Sequence, residues 1–199
     1  MSAGITTPMW TYGTSLRRYI LTESLGFCWV AGPALMLMEP IINEIRKALN
    51  AGLYYLALSV VLTLPDICVS LISEDGRSTG VRYREWCDNN LGSEFSFVTG
   101  KDLYSMRCGV VHNGRLGDMA HNVSRVVFVL PGNIAFSNCL ANDMYIYNAV
   151  DFCNNFVAAV ERWYVKHIDN KNVSRNAGRV MRYRFNGIAP ILVGVPVIG

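Results

Sequence analysis

The sequence predicts a mainly α-helical fold, a bundle of about five helices with a small β-hairpin insertion. Two observations lead to this fold class. Apolar residues recur at helical spacing through most of residues 38–168, and proline, asparagine and glycine stand where such helices would begin and end. One short run rich in β-branched residues, 123–130, interrupts this pattern and predicts the insertion.

The composition is that of a folded protein. Of the 199 residues, 51% are hydrophobic and 17% are charged, which suffices for one domain with a sizeable core and excludes a disordered chain. The net charge of +3 is too small to identify a nucleic-acid partner by itself. The 6 cysteines are scattered without a C-x-x-C pair, which favours free thiols in a cytoplasmic protein over disulfides or a zinc site. We therefore expect neither a metal nor another cofactor.

Residues 1–37 have no clear periodicity and predict a poorly ordered N-terminal extension. The apolar run 25–38 faintly resembles a signal peptide, but it is short, broken by a Gly-Pro pair and not followed by a convincing cleavage site. An alternative is that translation begins at Met36 or Met38, so that the preceding residues are not native sequence.

Five segments have helical periodicity and together predict a helical domain over residues 38–168. They are residues 39–50, 53–72, 81–91, 99–116 and 149–167. The second segment is apolar almost all round and long enough to span a bilayer. Because Pro65 and Asp66 lie inside it, we expect a kinked helix at the centre of the bundle and no membrane association.

Two further segments flank the last predicted helix. Residues 123–130 predict a strand, with 134–136 or 144–147 as its hairpin partner. Residues 169–199 form a basic and apolar tail, which is either a solvated or disordered end or an RNA-binding arm using phosphate contacts and aromatic stacking. The candidate nucleic-acid-binding residues of this tail are Arg175, Arg179, Arg182 and Arg184.

The predicted helix over 99–116 carries the residues of greatest chemical interest. Thr99 is a suitable N-cap, and Asp102 stands where the acid of a capping box belongs. The pair Asn113-Gly114 predicts the end of the helix. Between these signals an otherwise apolar helix holds Arg107 and His112, in the pattern R-x-x-x-x-H.

Five residues along a regular helix turn a side chain by about 500°, so Arg107 and His112 would point about 140° apart. They converge only if the helix ends at His112, or if two copies of the helix meet across a twofold axis. Such a pair suits RNA cleavage without a metal. A histidine exchanges protons with the ribose 2′-hydroxyl or the leaving 5′-oxygen, and an arginine offsets charge on the phosphorus.

The run S-M-R-C-G-V-V-H-N-G, closing the fourth helix, resembles the R-x4-6-H signature of the HEPN superfamily. The segments L-T-L-P-D-I-C, Y-R-E-W-C and A-A-V-E-R-W-Y on the other helices agree, and together they resemble a bacterial branch of that superfamily over residues 39–167. The resemblance implies Arg107 as phosphate stabiliser and His112 as acid/base. It also implies a homodimeric, metal-independent ribonuclease of a toxin–antitoxin or phage-defence system, with RNA as substrate and a cognate antitoxin as partner.

Asp66, Tyr104 and Asn113 are the candidate supporting residues. A carboxylate in the most apolar helix needs a partner, so Asp66 either pairs with Arg107 or caps the backbone at the Pro65 kink. If it pairs with Arg107, it would orient that side chain. Tyr104 and Asn113 would help to position a phosphate.

The alternative function is a non-catalytic helical module that dimerises or binds RNA or a protein. In that case Arg107 forms a structural salt bridge with Asp66 or Asp102, and His112 is only a helix-terminal residue. A membrane-associated protein is a third alternative, based only on the apolar N-terminal run.

Overall fold

The structure is a computed structural model that describes residues 37–117, 125–132 and 136–199. Residues 1–36 of the predicted N-terminal extension lie outside this described part. The helices are α1 (Glu39–Asn50), α2 (Tyr54–Val61), α3 (Leu64–Ile72), α4 (Gly80–Asn90), α5 (Gly100–Cys108), α6 (Ala149–His167) and α7 (Lys171–Asn176). The strands are β1 (Arg125–Val129), β2 (Cys139–Ala141), β3 (Met144–Asn148), β4 (Tyr183–Arg184), β5 (Gly187–Ile188), β6 (Leu192–Val193) and β7 (Val197–Ile198). The mainly α-helical class with a small sheet is confirmed.

The centre of the bundle is α6, which contacts α1, α2, α3 and α4. Its N-terminus is fixed by Asn148, whose side-chain oxygen accepts hydrogen bonds from the backbone N–H groups of Val150 and Asp151. Its buried aromatic rings, Phe152 and Phe156, pack against Phe95 at centroid distances of 5.4 and 5.3 Å. This aromatic packing joins α6 to the segment that precedes α5.

The segment predicted as one kinked helix over 53–72 forms two helices, which corrects that prediction. The break falls at Leu62 and Thr63, directly before Pro65, because proline has no N–H to donate to the preceding turn. The hydroxyl of Thr63 donates to the carbonyl of Val60 at 2.7 Å and satisfies an acceptor at the break. Within the described residues, one stretch, Tyr54–Ile72, is long and apolar enough to cross a membrane. Buried core helices meet the same criterion, and half of this stretch is buried in the protein.

Of the two expected partners of the strand over 123–130, residues 144–147 are confirmed, but the hairpin is wrong because the two strands run in parallel. β1 pairs with β3 in parallel, and the antiparallel hairpin is formed by β2 and β3, so the sheet order is β1-β3-β2. β3 is central because its alternate residues Tyr145 and Tyr147 are fully buried against the helices. The alternative partner, residues 134–136, lies mostly outside the described residues.

The segment after α6 is ordered where it meets α3. The buried side-chain amide of Asn176 on α7 donates to the carbonyls of Ser70, Leu71 and Ser73, at 3.2, 3.0 and 2.8 Å. These carbonyls lie at the C-terminal end of α3, where no helical N–H is left to bind them. The first part of the tail therefore completes the end of α3, and β4–β7 and β5–β6 form short antiparallel pairs beyond it.

Candidate active site

The start of α5 and the end of the helical run at Gly114 agree with the sequence, but the run is not one α-helix. Thr99 and Asp102 form a capping box, in which the Thr99 hydroxyl accepts from the Asp102 N–H at 3.3 Å and the Asp102 carboxylate accepts from the Thr99 N–H at 3.0 Å. Gly114 adopts the left-handed conformation with φ of 64°, which ends the helical run.

Between α5 and Gly114 the chain forms a single π-helical turn, Gly109–Asn113, which the sequence analysis did not anticipate. A π turn closes i→i+5 hydrogen bonds and therefore spreads more residues over one turn than an α-helix does. With more residues in one turn, each residue rotates the side chain by a smaller angle, so the side chains of Arg107 and His112 point in more similar directions than on a regular α-helix. As a result Arg107 Nη1 lies 3.4 Å from His112 Nε2 within one chain, and His112 is exposed.

Gly109, at the start of the π turn, leaves no room for a side chain. The chain turns back after Gly114, and the Arg115 N–H donates to the Gly109 carbonyl at 3.1 Å. A Cβ at Gly109 would lie 2.5 Å from the Arg115 carbonyl oxygen and 2.6 Å from the Cα of Gly117. Only glycine leaves room for this close backbone approach.

Asp66 on α3 holds the other side of the Arg107 guanidinium. Arg107 Nε donates to Asp66 Oδ2 at 2.8 Å, and the Ser78 hydroxyl donates to Asp66 Oδ1 at 2.6 Å. The Arg107 and Asp66 side chains are 23% and 21% exposed, so the ion pair is largely shielded from water. Burial lowers the pKa of Arg107, but Asp66 and Cys108 outweigh it and raise this pKa, so the guanidinium is charged throughout the accessible pH range. Of the two predicted carboxylate partners, the one that pairs with Arg107 is Asp66.

Tyr104 and Cys108 lie on the same helix as Arg107. A hydrogen bond to Cys108, together with partial burial, raises the pKa of the Tyr104 hydroxyl, which therefore stays protonated at neutral pH. The Tyr104 ring packs on Tyr83, with centroids 5.3 Å apart, and its Cζ would lie 2.7 Å from a Cβ at Gly80. Tyr104 thus forms part of the wall behind Arg107.

Two residues of this site, Ser78 and Cys108, were missed as candidates. Ser78 lies 12 residues from Asp66, in the loop between α3 and α4, so no local pattern signals the contact. The Cys108 thiol interacts by hydrogen bonding with both Tyr104 and Arg107. Its position four residues after Tyr104 places the two side chains on the same helix face and could have indicated their contact.

Apolar side chains are exposed next to the polar residues of the π turn. Val111, His112 and Asn113 are exposed in the turn. At the start of α2, the N-cap residue Leu53 and the helical residues Tyr55 and Leu56 are also exposed. The Tyr55 hydroxyl lies 3.9 Å from where a Cβ of Gly114 would stand, so the start of α2 and the π turn are neighbours. We call the exposed residues Leu53, Tyr55, Leu56 and Val111 the rim patch.

The tail arginines make contacts of their own. Arg175 donates to the carbonyl of Glu74, and Arg179 Nη1 donates to the carbonyl of Asp75 at 3.1 Å, so both fasten the tail to the loop between α3 and α4. Arg184 Nε donates to the carbonyl of Gly199 at 3.2 Å. Near Arg182, the rings of Tyr183 and Phe185 stack on the surface with centroids 6.0 Å apart. The contacts described for these arginines do not include Arg107 or His112.

Among the residues that the structure describes, no group of three or more histidine, cysteine, aspartate or glutamate side chains could hold a metal ion. The 5 cysteines in this part of the chain, which excludes Cys28, are free thiols, and Cys68, Cys87 and Cys153 are buried. Comparisons of the chain with protein-family models, with curated proteins and with solved structures find no match.

Proposed function

We propose that this chain is a metal-independent endoribonuclease of the HEPN type, cytoplasmic and acting in a toxin–antitoxin or phage-defence setting. The observation that carries the proposal is the 3.4 Å approach of Arg107 Nη1 to the exposed His112 Nε2. Single π turns inside helices occur frequently at functional sites, which agrees with this assignment.

The two sides of the guanidinium have separate tasks in this proposal. Asp66 binds Nε and fixes the plane of the group, while Nη1 points to the exposed side where a phosphate of RNA would lie. His112 Nε2 accepts the proton of the ribose 2′-hydroxyl, and the resulting oxygen attacks phosphorus. The bond to the 5′-oxygen breaks, that oxygen takes up a proton, and a 2′,3′-cyclic phosphate remains. Arg107 offsets the charge that develops on the phosphate oxygens.

The rim patch supports a homodimer as the active form. It is apolar, exposed and adjacent to His112, so a second copy seated on it would bring a second Arg107–His112 pair close to the first. The imidazole of the partner could then protonate the leaving 5′-oxygen. A cognate antitoxin that covers the same patch would block the site.

The test is cleavage of total RNA in EDTA by the full chain and by His112→Ala and Arg107→Ala. We expect 2′,3′-cyclic phosphate ends, and a loss of about a hundredfold or more in each variant. Arg162→Ala, which removes an exposed arginine from α6, is the matched control and should cleave like the wild type. Absence of cleavage by a folded wild-type dimer, or unchanged cleavage by His112→Ala, would refute the proposal.

A non-catalytic binding module is the second candidate, and the Arg107–Asp66 ion pair favours it, since a largely shielded salt bridge also has a structural use. In that case Arg107→Ala lowers the free energy of unfolding while His112→Ala changes nothing. Binding of RNA without cleavage, lost in Arg182→Ala or Arg184→Ala, would identify the tail as the binding arm.

A further inference from the structure

A second site lies away from the Arg107–His112 pair, between α1, α3 and the tail. It is a cavity of about 450 Å³, a size typical of small-molecule sites. Ile41 on α1, Val60 on α2 and Ile67 on α3 form much of its apolar wall, and Val180 and Ile198 of the tail close it from the other side.

One buried polar atom on this wall has no hydrogen-bond partner. Asn176 is 2% exposed, and its Nδ2 is fully used by the three carbonyls at the end of α3, which fixes the orientation of the amide. Its Oδ1 makes no hydrogen bond within the described residues. That oxygen has almost no accessible surface, so a ligand in the cavity packs against Asn176 without reaching it.

Positive charge stands beside this acceptor. Gly76, with φ of 69°, lies against both Asn176 Oδ1 and Arg179, and a Cβ at Gly76 would be 3.1 Å from that oxygen. Arg179 and Arg182 both line the cavity, and in the part of the chain that the structure describes neither forms an ion pair. The carboxylate at the cavity, that of Glu44, already binds Lys47 at 3.3 Å.

We propose that this cavity binds a small amphipathic anion. The apolar body of the ligand packs against Ile41, Val60 and Ile67. Its polar end carries an acidic oxygen for the guanidinium groups of Arg179 and Arg182. This site shares no residue with the Arg107–His112 pair, but Arg179 and Arg182 are also among the tail arginines considered for RNA binding.

The probe is 1-anilinonaphthalene-8-sulfonate, in which an apolar ring system carries a sulfonate beside an N–H. We expect saturable fluorescence enhancement with one site per chain. Decanoate should displace the probe, whereas decylammonium, which has the same chain and the opposite charge, should not. Equal displacement by both would overturn the acidic-headgroup assignment.

Variants locate the binding in the cavity. Val180→Trp fills the cavity from the half-buried tail side and should weaken binding at least tenfold, as should Met181→Trp if the first variant is unstable. Ile191→Trp places the same ring at a site that is 85% exposed and should leave binding unchanged. Arg182→Gln should weaken binding about tenfold through the lost charge-assisted bond, while Arg162→Gln should not. Binding equal in the tryptophan variants and the control would overturn the proposal.

Discussion

A single methyl group at Gly109 tests the link between the π turn and the proposed chemistry without changing any polar group. In Gly109→Ala the new Cβ would stand 2.5 Å from the Arg115 carbonyl oxygen and 2.6 Å from the Cα of Gly117. Both neighbours are backbone atoms, which cannot rotate away as the end of a side chain can. The returning segment and the π turn must therefore separate.

The size of this displacement follows from the contacts. Ordinary van der Waals contact for a Cβ is 3.4–4 Å, so the two segments must move apart by about 1 Å. Overpacking of this kind costs about 1–3 kcal/mol of stability. A displacement of about 1 Å between catalytic groups lowers a rate by about a hundredfold, so the loss of cleavage should greatly exceed the loss of folded protein.

The assay compares RNA cleavage and urea unfolding for the wild type, Gly109→Ala and Gly178→Ala. Gly178 has no atom within 4 Å of its would-be Cβ, so the same methyl group meets open space there. We expect reduced cleavage and modest destabilisation only for Gly109→Ala. Cleavage at the wild-type rate by Gly109→Ala would refute the reasoning that the π turn sets the position of His112.

Three further predictions concern stability. Asp66→Asn keeps the shape of the side chain but removes its charge from the largely shielded pair with Arg107. The free energy of unfolding in urea should therefore fall by about 1–3 kcal/mol. An unchanged free energy of unfolding would show that the ion pair contributes nothing to stability. Asn148→Ala removes the cap of α6 and should lower stability by about 1 kcal/mol, seen as a lower thermal midpoint, and an unaltered midpoint would contradict the capping role. Burial raises the pKa of the Cys153 thiol to about 12, so the native state keeps a proton that the unfolded chain loses in mild alkali. Because of this thiol alone, the free energy of unfolding should fall by about 2–3 kcal/mol between pH 8 and 10.5. Urea unfolding measured at a series of pH values should show a smaller fall for Cys153→Ala than for the wild type. An equal fall in both proteins would contradict the raised pKa of Cys153.

The helix ends were predictable because they depend on local chemistry. Pro40 in the first turn of α1 and Gly52 after it, with φ of 72°, fix that helix as the sequence indicates. The same holds for the Thr99–Asp102 capping box of α5. Each of these signals involves residues within one or two turns of each other.

The pairing of the strands was not predictable in the same way. Alternation of apolar residues identifies β1 and β3 as strands, but it carries no information about direction or partner. The parallel pairing, with Val127 opposite Ile146, depends on burial of Tyr145 and Tyr147 against residues far away in sequence.

The candidate site was predicted in part. The pair of Arg107 and Asp66 was one of the expected arrangements, since a carboxylate in an apolar helix needs a partner, and it is the one that forms. The approach of His112 to Arg107 was expected only from a frayed helix end or from a second copy. The π turn depends on the close packing of Gly109 against residues 115–117, which no helical periodicity describes.

The amide of Asn176 has a consequence for the order in which the protein can mature. It binds carbonyls that were synthesised 103 to 106 residues earlier. At about 5–20 residues per second, a ribosome needs about 5–20 s to make that interval. During this time the carbonyls of Ser70 and Leu71 lack the Asn176 amide, whereas the carbonyl of Ser73 already has a local donor, the Gly76 N–H at 3.3 Å. The C-terminal end of α3 is therefore completed only late in translation, once α7 has been made.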